Sequence, residues 1–250
     1  MVDRIFNIGE NGLQTADIRV KSLTNNMVNA ETPGFKKSIV VEKAFPIWLQ
    51  EYQDKVYSKS GAGMIPEVSG VYYDQSSGSV NRTGGSTDFA ISGDGYFVVA
   101  TKWGPGYTRD GRFKLDKDGN LISVAGNHPL MGQNGQITVV PGSKIDVLEN
   151  GEIKSDGISV NKLRIITCDN PNKLELVSGS IYKLASNDES MIKDVDSPKI
   201  VQGYVEGSNI SIINEMMELI YLNRAYNVNT KIIQVRDSAL THALEMGKNQ

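Results

Sequence analysis

Few residues in this 250-residue chain are of types that do chemistry. There are two histidines, His128 and His242, and one cysteine, Cys168. A zinc site needs three or four ligands drawn from His, Cys, Asp and Glu at close spacing. His128 stands alone in the turn-like GNHPL, and His242 stands alone in a helical pattern, so both read as solvated or packing side chains. Cys168 ends a strand-like run with no identifiable base beside it, so it reads as a small packed hydrophobe and not a nucleophile. The stretch DKDGN, residues 116–120, lacks the further acidic positions and the closing Glu of a calcium loop. Asp-Gly between two strand-like runs reads instead as a hairpin turn. TGGSTDF and SGDGYF are glycine-rich, but no Gly-Lys-Ser/Thr follows and strands come next, so no phosphate cradle is expected. Nor is there a Gly-x-Ser-x-Gly elbow. The expectation is no catalytic residue, no cofactor and no metal.

Composition narrows the class further. The chain is 39% apolar and 22% charged, sufficient for a globular core. A net charge of -3 gives no basic face for nucleic acid, and no polybasic run addresses anionic lipid. A single thiol forms no internal disulfide. No segment approaches the roughly 18 unbroken apolar residues of a membrane span. The N-terminal stretch carries no apolar run with a small-residue cleavage site, so any passage out of the cytoplasm is expected to proceed without a cleaved signal peptide.

What must be positioned, then, is not an active site but two long helical patterns. Leu13, Ala16, Val20, Leu23, Met27 and Ala30 recur at spacings of three and four, an a/d heptad seam, with Phe6 and Gly9 extending the register backwards. Thr32 precedes Pro33, which pushes it out of the helical region, so this helix is expected to stop near Ala30. Gly34 follows as a turn residue with an expected positive φ, and Phe35 is expected to anchor the departing chain. Asn25, Asn26 and Asn29 can bond free carbonyls at the helix end or a neighbouring chain. A second helix is expected from about Ile212 to Met246, about 50 Å long at 1.5 Å per residue. Leu219, Leu222, Tyr226, Ile233, Leu240 and Ala243 form its seam, led by Met216 and interrupted by Asn229 and Arg236. Ser208 or Ser211 is placed to cap it, with Glu215 near the first turn.

Between these ends the texture becomes β. FAISGDGYFVVA and GRFKLDKDGNLISV each read as strand, turn, strand, and QITVV, KIDVL, KLRIITC and YKLA as further strands. The stretch 37–83 holds Phe45, Trp48, Tyr52, Tyr57, Tyr72 and Tyr73 without a sustained period, and reads as an extended, partly β connector. The fold class is therefore α+β. Residues 1–35 and 208–250 form a discontinuous two-helix coiled-coil domain, 36–83 is the connector, and 84–207 is an inserted all-β antiparallel domain. One helix pair buries little alone, so the seam residues Leu13, Val20, Leu23, Met27, Leu219, Leu222, Tyr226, Ile233 and Leu240 are expected to mediate self-assembly. Two other classes stay open: a ligand-binding or enzymatic β domain with helical arms, and an adaptor that binds a foreign helix.

These residues carry a resemblance. LTNNMVNAETPGFKK resembles the N-terminal signature of the flagellar basal-body rod and hook protein family. GGSTDFAISGDGYFVV with YTRDGRFKLDKDGNLIS resembles its central β segment, and VQGYVEGSNISIINEMMELIYLNRAYNVNTKIIQ its C-terminal segment. The three blocks occur in the family's order at both ends and the middle. The opening MVDRIFNIGENGLQ departs from the family's usual small residues. The resemblance implies an axial structural subunit, not an enzyme. It implies export through the flagellar type III apparatus, assembly with copies of itself and with other rod and hook proteins, and a place in the periplasmic rod of the basal body. Both proximal-rod (FlgF-type) and distal-rod (FlgG-type) members fit the length. The reading taken is the FlgF type, with the FlgG type as its alternative.

Overall fold

The computed structural model describes residues 2–46, 64–185 and 189–248. Two helices bracket the chain, α1 (Val2–Val28) and α2 (Ile212–Lys248), with strands between them, so the fold is mixed α+β. α1 ends two residues before the expected Ala30, and residues 29–34 are turns. The connector carries β1 (Ser38–Pro46) and β2 (Met64–Tyr73), which pair with each other in a two-stranded sheet. Trp48, Tyr52 and Tyr57 lie outside the described residues. No helix among the described residues is long and apolar enough to cross a membrane.

The chain divides into two compact units. The helical unit comprises Met1–Met27, Ser38–Tyr72 and Ser211–Gln250, and the β unit comprises Val28–Lys37 and Tyr73–Ile210. The ten residues around Pro33 thus cluster with the β strands, and most of the connector clusters with the helices.

The β unit is built on a six-stranded sheet. Its two central strands, Tyr96–Thr101 and Gly104–Thr108, form an antiparallel hairpin. Period-two alternation gives each face a core. Phe97 and Val99 join Phe89, Phe113, Leu121, Leu130 and Ile165 on one side. Tyr96 and Val98 join Tyr107, Ile166, Leu174 and Tyr182 on the other. The ring centroids of Phe97 and Phe113 lie 5.4 Å apart, edge to face.

Several expected strands are present and some differ. Phe113–Leu115 and Leu121–Ser123 pair as a hairpin around Asp116. The Asp116 carboxylate accepts from the N–H groups of Asp118 and Asn120 and from the Asn120 amide, and these bonds hold its pKa below the usual value. Its lone pairs serve the turn. The two strands of FAISGDGYFVVA do not pair with each other: Phe89–Ile91 pairs with Ile200–Gln202 instead. QITVV is not one continuous strand. Gly135–Gln136 is a strand and Thr138 an isolated bridge, while Ile137 and Val139, outside any strand, bring their side chains to the core and still bond through their backbones, Ile137 to Leu130 and Leu121 and Val139 to Gly119.

The strand Gly104–Thr108, sequence GPGYT, is the least expected, because Gly and Pro usually disfavour a central strand. Gly106 explains its own presence. A Cβ there would lie 2.7 Å from Thr101 Cγ2 and 2.9 Å from Ile181 Cγ2. The side chains of the two flanking strands fill the place a residue would need. Gly106→Ala should therefore destabilise the β unit by about 1–3 kcal/mol through overpacking, read as a lower urea midpoint with an unchanged slope.

Candidate assembly site

The turn after α1 is a close fit against the β unit. Gly34 has φ +69, the left-handed region. A Cβ at Gly34 would stand 2.2 Å from the Asp110 backbone nitrogen and 2.3 Å from the Arg109 carbonyl carbon. Both conformation and space therefore require glycine. Phe35 beside it is buried. The chain is then bonded residue by residue. The Gly34 N–H donates to the Glu206 carbonyl at 2.8 Å, the Lys36 N–H to the Tyr182 hydroxyl at 3.2 Å, and the Lys37 N–H to Asn209 Oδ1 at 2.8 Å. The Lys37 carbonyl accepts from the Asp74 N–H at 2.8 Å.

Beneath this turn lies a buried charge cluster. Lys36 Nζ sits 2.7 Å from Glu206 Oε1, and Arg109 sits 3.1 Å from Glu206 Oε2; all three side chains are at most 4% exposed. Lys36 Nζ also donates to the Ser76 carbonyl at 2.8 Å, and Glu206 Oε1 accepts from the Gly78 N–H at 3.0 Å. Burial pulls the Lys36 ammonium below its ordinary pKa despite the opposing pull of Glu206. Arg109 also lies over the Tyr96 ring, 5.4 Å from its centroid. Burial pushes the Tyr96 and Tyr182 hydroxyls well above the usual range, so both are neutral partners. The Tyr96 hydroxyl donates to Gln75 Oε1.

Within the helical unit, a second polar cluster stands at the end of α1. Asn26 is fully buried. Its Oδ1 accepts from the Ser38 N–H at 2.9 Å and the Ser38 hydroxyl at 2.8 Å. Its Nδ2 donates to the Ser38 carbonyl at 2.9 Å and to Glu215 Oε2 at 3.1 Å. Ser22 and Ser38 hydroxyls lie 2.7 Å apart. One asparagine thus reads both backbone groups of Ser38, as a neighbouring strand would.

α1 and α2 run antiparallel. Asn26 meets Glu215, Arg19 meets Glu218 at 2.9 Å, and a Cβ at Gly12 would stand 3.4 Å from the Asn229 amide. Arg19 also reaches Glu42 of β1 at 3.2 Å. Both Arg19 pairs are partly exposed and contribute little alone. Asn229, which interrupts the seam in sequence, falls opposite a glycine.

The expected seam residues divide by burial. Leu23 and Leu222 are buried; Leu13, Val20, Met27, Leu219 and Ile233 are half-buried; Tyr226 is 47% exposed. The Leu240 side chain lies outside the described ones. Large apolar side chains on α2 are not confined to the seam. Ile213, Met216, Met217, Ile220, Tyr221, Val228, Ile232 and Val235 are all 49% exposed or more. Among the polar residues expected at the turn, Asn26 is buried, Asn25 is exposed, and Asn29 accepts from the Thr32 N–H and hydroxyl. Sequence reasoning assigned no role to Ser22, Lys36, Ser38, Arg109, Glu206 or Asn209, although Lys36, Arg109, Glu206 and Asn209 lie within the blocks that carry the family resemblance. Nothing in their spacing marks them, since Lys36 and Glu206 are 170 residues apart.

Comparison with known proteins adds to this geometry. A family model described as the flagellar hook protein FlgE/F/G D1 domain matches residues 90–160. Another, the flagellar basal body rod FlgEFG protein C-terminal, matches residues 201–246, which include Glu206, Asn209, Glu215 and most of α2. The flagellar basal-body rod protein FlgG of Buchnera aphidicola subsp. Schizaphis graminum is 28% identical over 93% of this chain and 95% of its own length. The flagellar basal-body rod proteins FlgF of Rhizobium meliloti and Caulobacter vibrioides are each 29% identical, over 91% and 93% of this chain and 90% and 93% of their own lengths.

The charge cluster makes an asymmetric prediction. Glu206→Gln leaves two cations buried and should cost about 3–5 kcal/mol, whereas Lys36→Met leaves the Arg109–Glu206 pair and should change stability by about 1 kcal/mol. Gly34→Ala should cost about 2–4 kcal/mol from its backbone conformation and the clash with residue 110. Denaturant unfolding of the three variants checks both the order and the gap.

Proposed function

We propose that this chain, which belongs to the flagellar basal-body rod protein family and is a structural subunit of that rod, self-assembles through its terminal helices. In this reading α1 and α2 form a discontinuous coiled-coil domain, with the β strands inserted between its halves. The subunits stack helically with other rod and hook proteins, and the helices line a tube. Passage to the rod is through the flagellar type III export apparatus. The chain works as a mechanical part and not as a catalyst.

The observation that carries this is the apolar surface of α2. A helix apolar on one stripe needs one partner; a helix apolar on several sides needs several. With α1 on one side, the exposed Ile213, Met217, Ile220, Tyr221, Val228 and Val235 call for further helices. Contacts of this kind, between different patches on successive copies, propagate instead of closing.

The comparisons support the proximal, FlgF-type position by one detail. The alignments to the two FlgF proteins run over 229 and 233 residues, whereas that to the FlgG protein runs over 256 for a similar share of this chain. The FlgG relative therefore carries residues for which this chain has no counterpart. In a rod assembled in sequence, deleting a proximal subunit should remove FlgG-type subunits, rod and hook from isolated basal bodies while the membrane ring remains. Retention of the proximal rod would reassign the chain to the distal position.

The assembly reading is tested separately. Ile220 is 54% exposed, so Ile220→Asp should leave monomer stability within about 0.5 kcal/mol yet abolish incorporation into rods and swimming. Leu23→Asp should block assembly as well, by disrupting the helix pair, with the β unit still folded by circular dichroism. Normal motility of the Ile220→Asp strain would refute the role of this face, and multimers that form only with a foreign helix would favour an adaptor.

A further inference from the structure

Residues 206–215 supply partners to much of the stretch 26–38. Glu206 receives the Gly34 N–H and the Lys36 ammonium, Asn209 receives the Lys37 N–H, and Glu215 receives the Asn26 amide. The side-chain bonds span 170, 172 and 189 residues of sequence. Local bonds also hold the turn, from the Thr32 N–H and hydroxyl to Asn29, from the Phe35 N–H to the Thr32 carbonyl, and between Asn26 and Ser38.

Two asparagines set the geometry, and each is aimed by groups that only accept. A carboxylate or carbonyl takes a hydrogen bond from an amide NH2 but not from its oxygen. Glu215 Oε2 and the Ser38 carbonyl therefore orient the Asn26 amide with Nδ2 towards them, which turns Oδ1 onto the Ser38 N–H. The carbonyls of Asp74 and Ser76 hold Asn209 Nδ2 at 2.9 and 3.1 Å, which turns its Oδ1 onto the Lys37 N–H. In both units an oriented amide oxygen captures a backbone N–H of the segment leaving α1. We infer that Glu206, Asn209 and Glu215 are positioning residues that template this exit, so that residues 34–38 take their form only once the C-terminal segment is in place. The chain makes the template long after it makes the turn. A chain ending before residue 206 has the sequence of α1 but not its exit geometry. This inference does not rest on the rod reading; it holds or fails for the folded monomer alone.

Amide hydrogen exchange of the full-length protein, below its self-association concentration, tests it at N–H groups that do not touch the altered side chain. Glu215→Ala should speed exchange at Ser38, whose own partner is Asn26, by about tenfold or more. Asn209→Ala should do the same at Gly34 and Lys36. Phe97, Leu121 and Ile165 in the β core should be unchanged in both. Glu215→Gln, which keeps an acceptor oxygen, should restore Ser38 protection. Unchanged exchange at Ser38, Gly34 and Lys36 would overturn the inference. So would acceleration in step with the β core, because these residues would then open only by global unfolding.

Discussion

Glu206 has almost no surface on water, so its charge is answered inside the molecule. Lys36 answers it on one oxygen and Arg109 on the other. Three distant pieces of chain are thereby committed to one place: the turn after α1, the end of the strand Gly104–Thr108, and the strand Tyr204–Glu206. An apolar cluster would tolerate sliding or repacking among these pieces. A carboxylate with three donors at 2.7 to 3.1 Å does not, because displacing them breaks charge-assisted bonds and leaves two buried cations without their counter-charge. Around this point the backbone approaches closely. Gly34 fits against residues 109 and 110, and Gly78 against Gly207, whose carbonyl oxygen would stand 2.0 Å from a Cβ.

The helical unit solves a similar problem around an uncharged amide. Asn26 faces the first residue of β1 at the end of α1, where helix carbonyls and the next strand both need partners. Its amide provides a donor and an acceptor at the spacing of a backbone, so the first residue of β1 pairs with a side chain. Glu215 then ties this point to the first turn of α2. The antiparallel register of the helices is marked by the buried Asn26–Glu215 bond and the partly exposed Arg19–Glu218 pair, with Gly12 opposite the Asn229 side chain.

What could be read from sequence follows from the range of the interactions. The stop after α1 is local, written in Thr32-Pro33-Gly34, and so are the hairpin at Asp116 and the length of α2. The α+β class follows from the contrast between terminal helical periodicity and short central runs. The strand GPGYT was illegible because its glycine answers to side chains of two other strands, not to its neighbours in sequence. QITVV differs for the converse reason: an apolar run that fills a core looks like one strand even where its backbone bonds are divided among several partners. Lys36 was invisible as a buried residue, since a lysine before a second lysine reads as solvated and its partner lies far along the chain. Heptad counting selects one stripe of α2, the seam through Leu219, Leu222, Tyr226, Ile233 and Leu240. The structure shows apolar side chains on α2 beyond that stripe.

This distribution of polarity separates two kinds of contact. Inside each unit, the segments flanking the helices are held by directional bonds between buried polar groups, which specify one geometry at modest net stabilisation. On α2, the exposed surface is apolar, including the adjacent Met216 and Met217, whose unbranched side chains adapt to varied shapes. Apolar contact is non-directional and scales with area. In the proposed assembly, where the subunit would meet copies of itself on some sides and different proteins on others, that tolerance at its surface is an advantage. The subunit equally needs a rigid internal geometry, or the tolerance would blur its own shape. Directional bonding where the chain turns, and adaptable apolar surface where it meets others, meet both demands within one polypeptide.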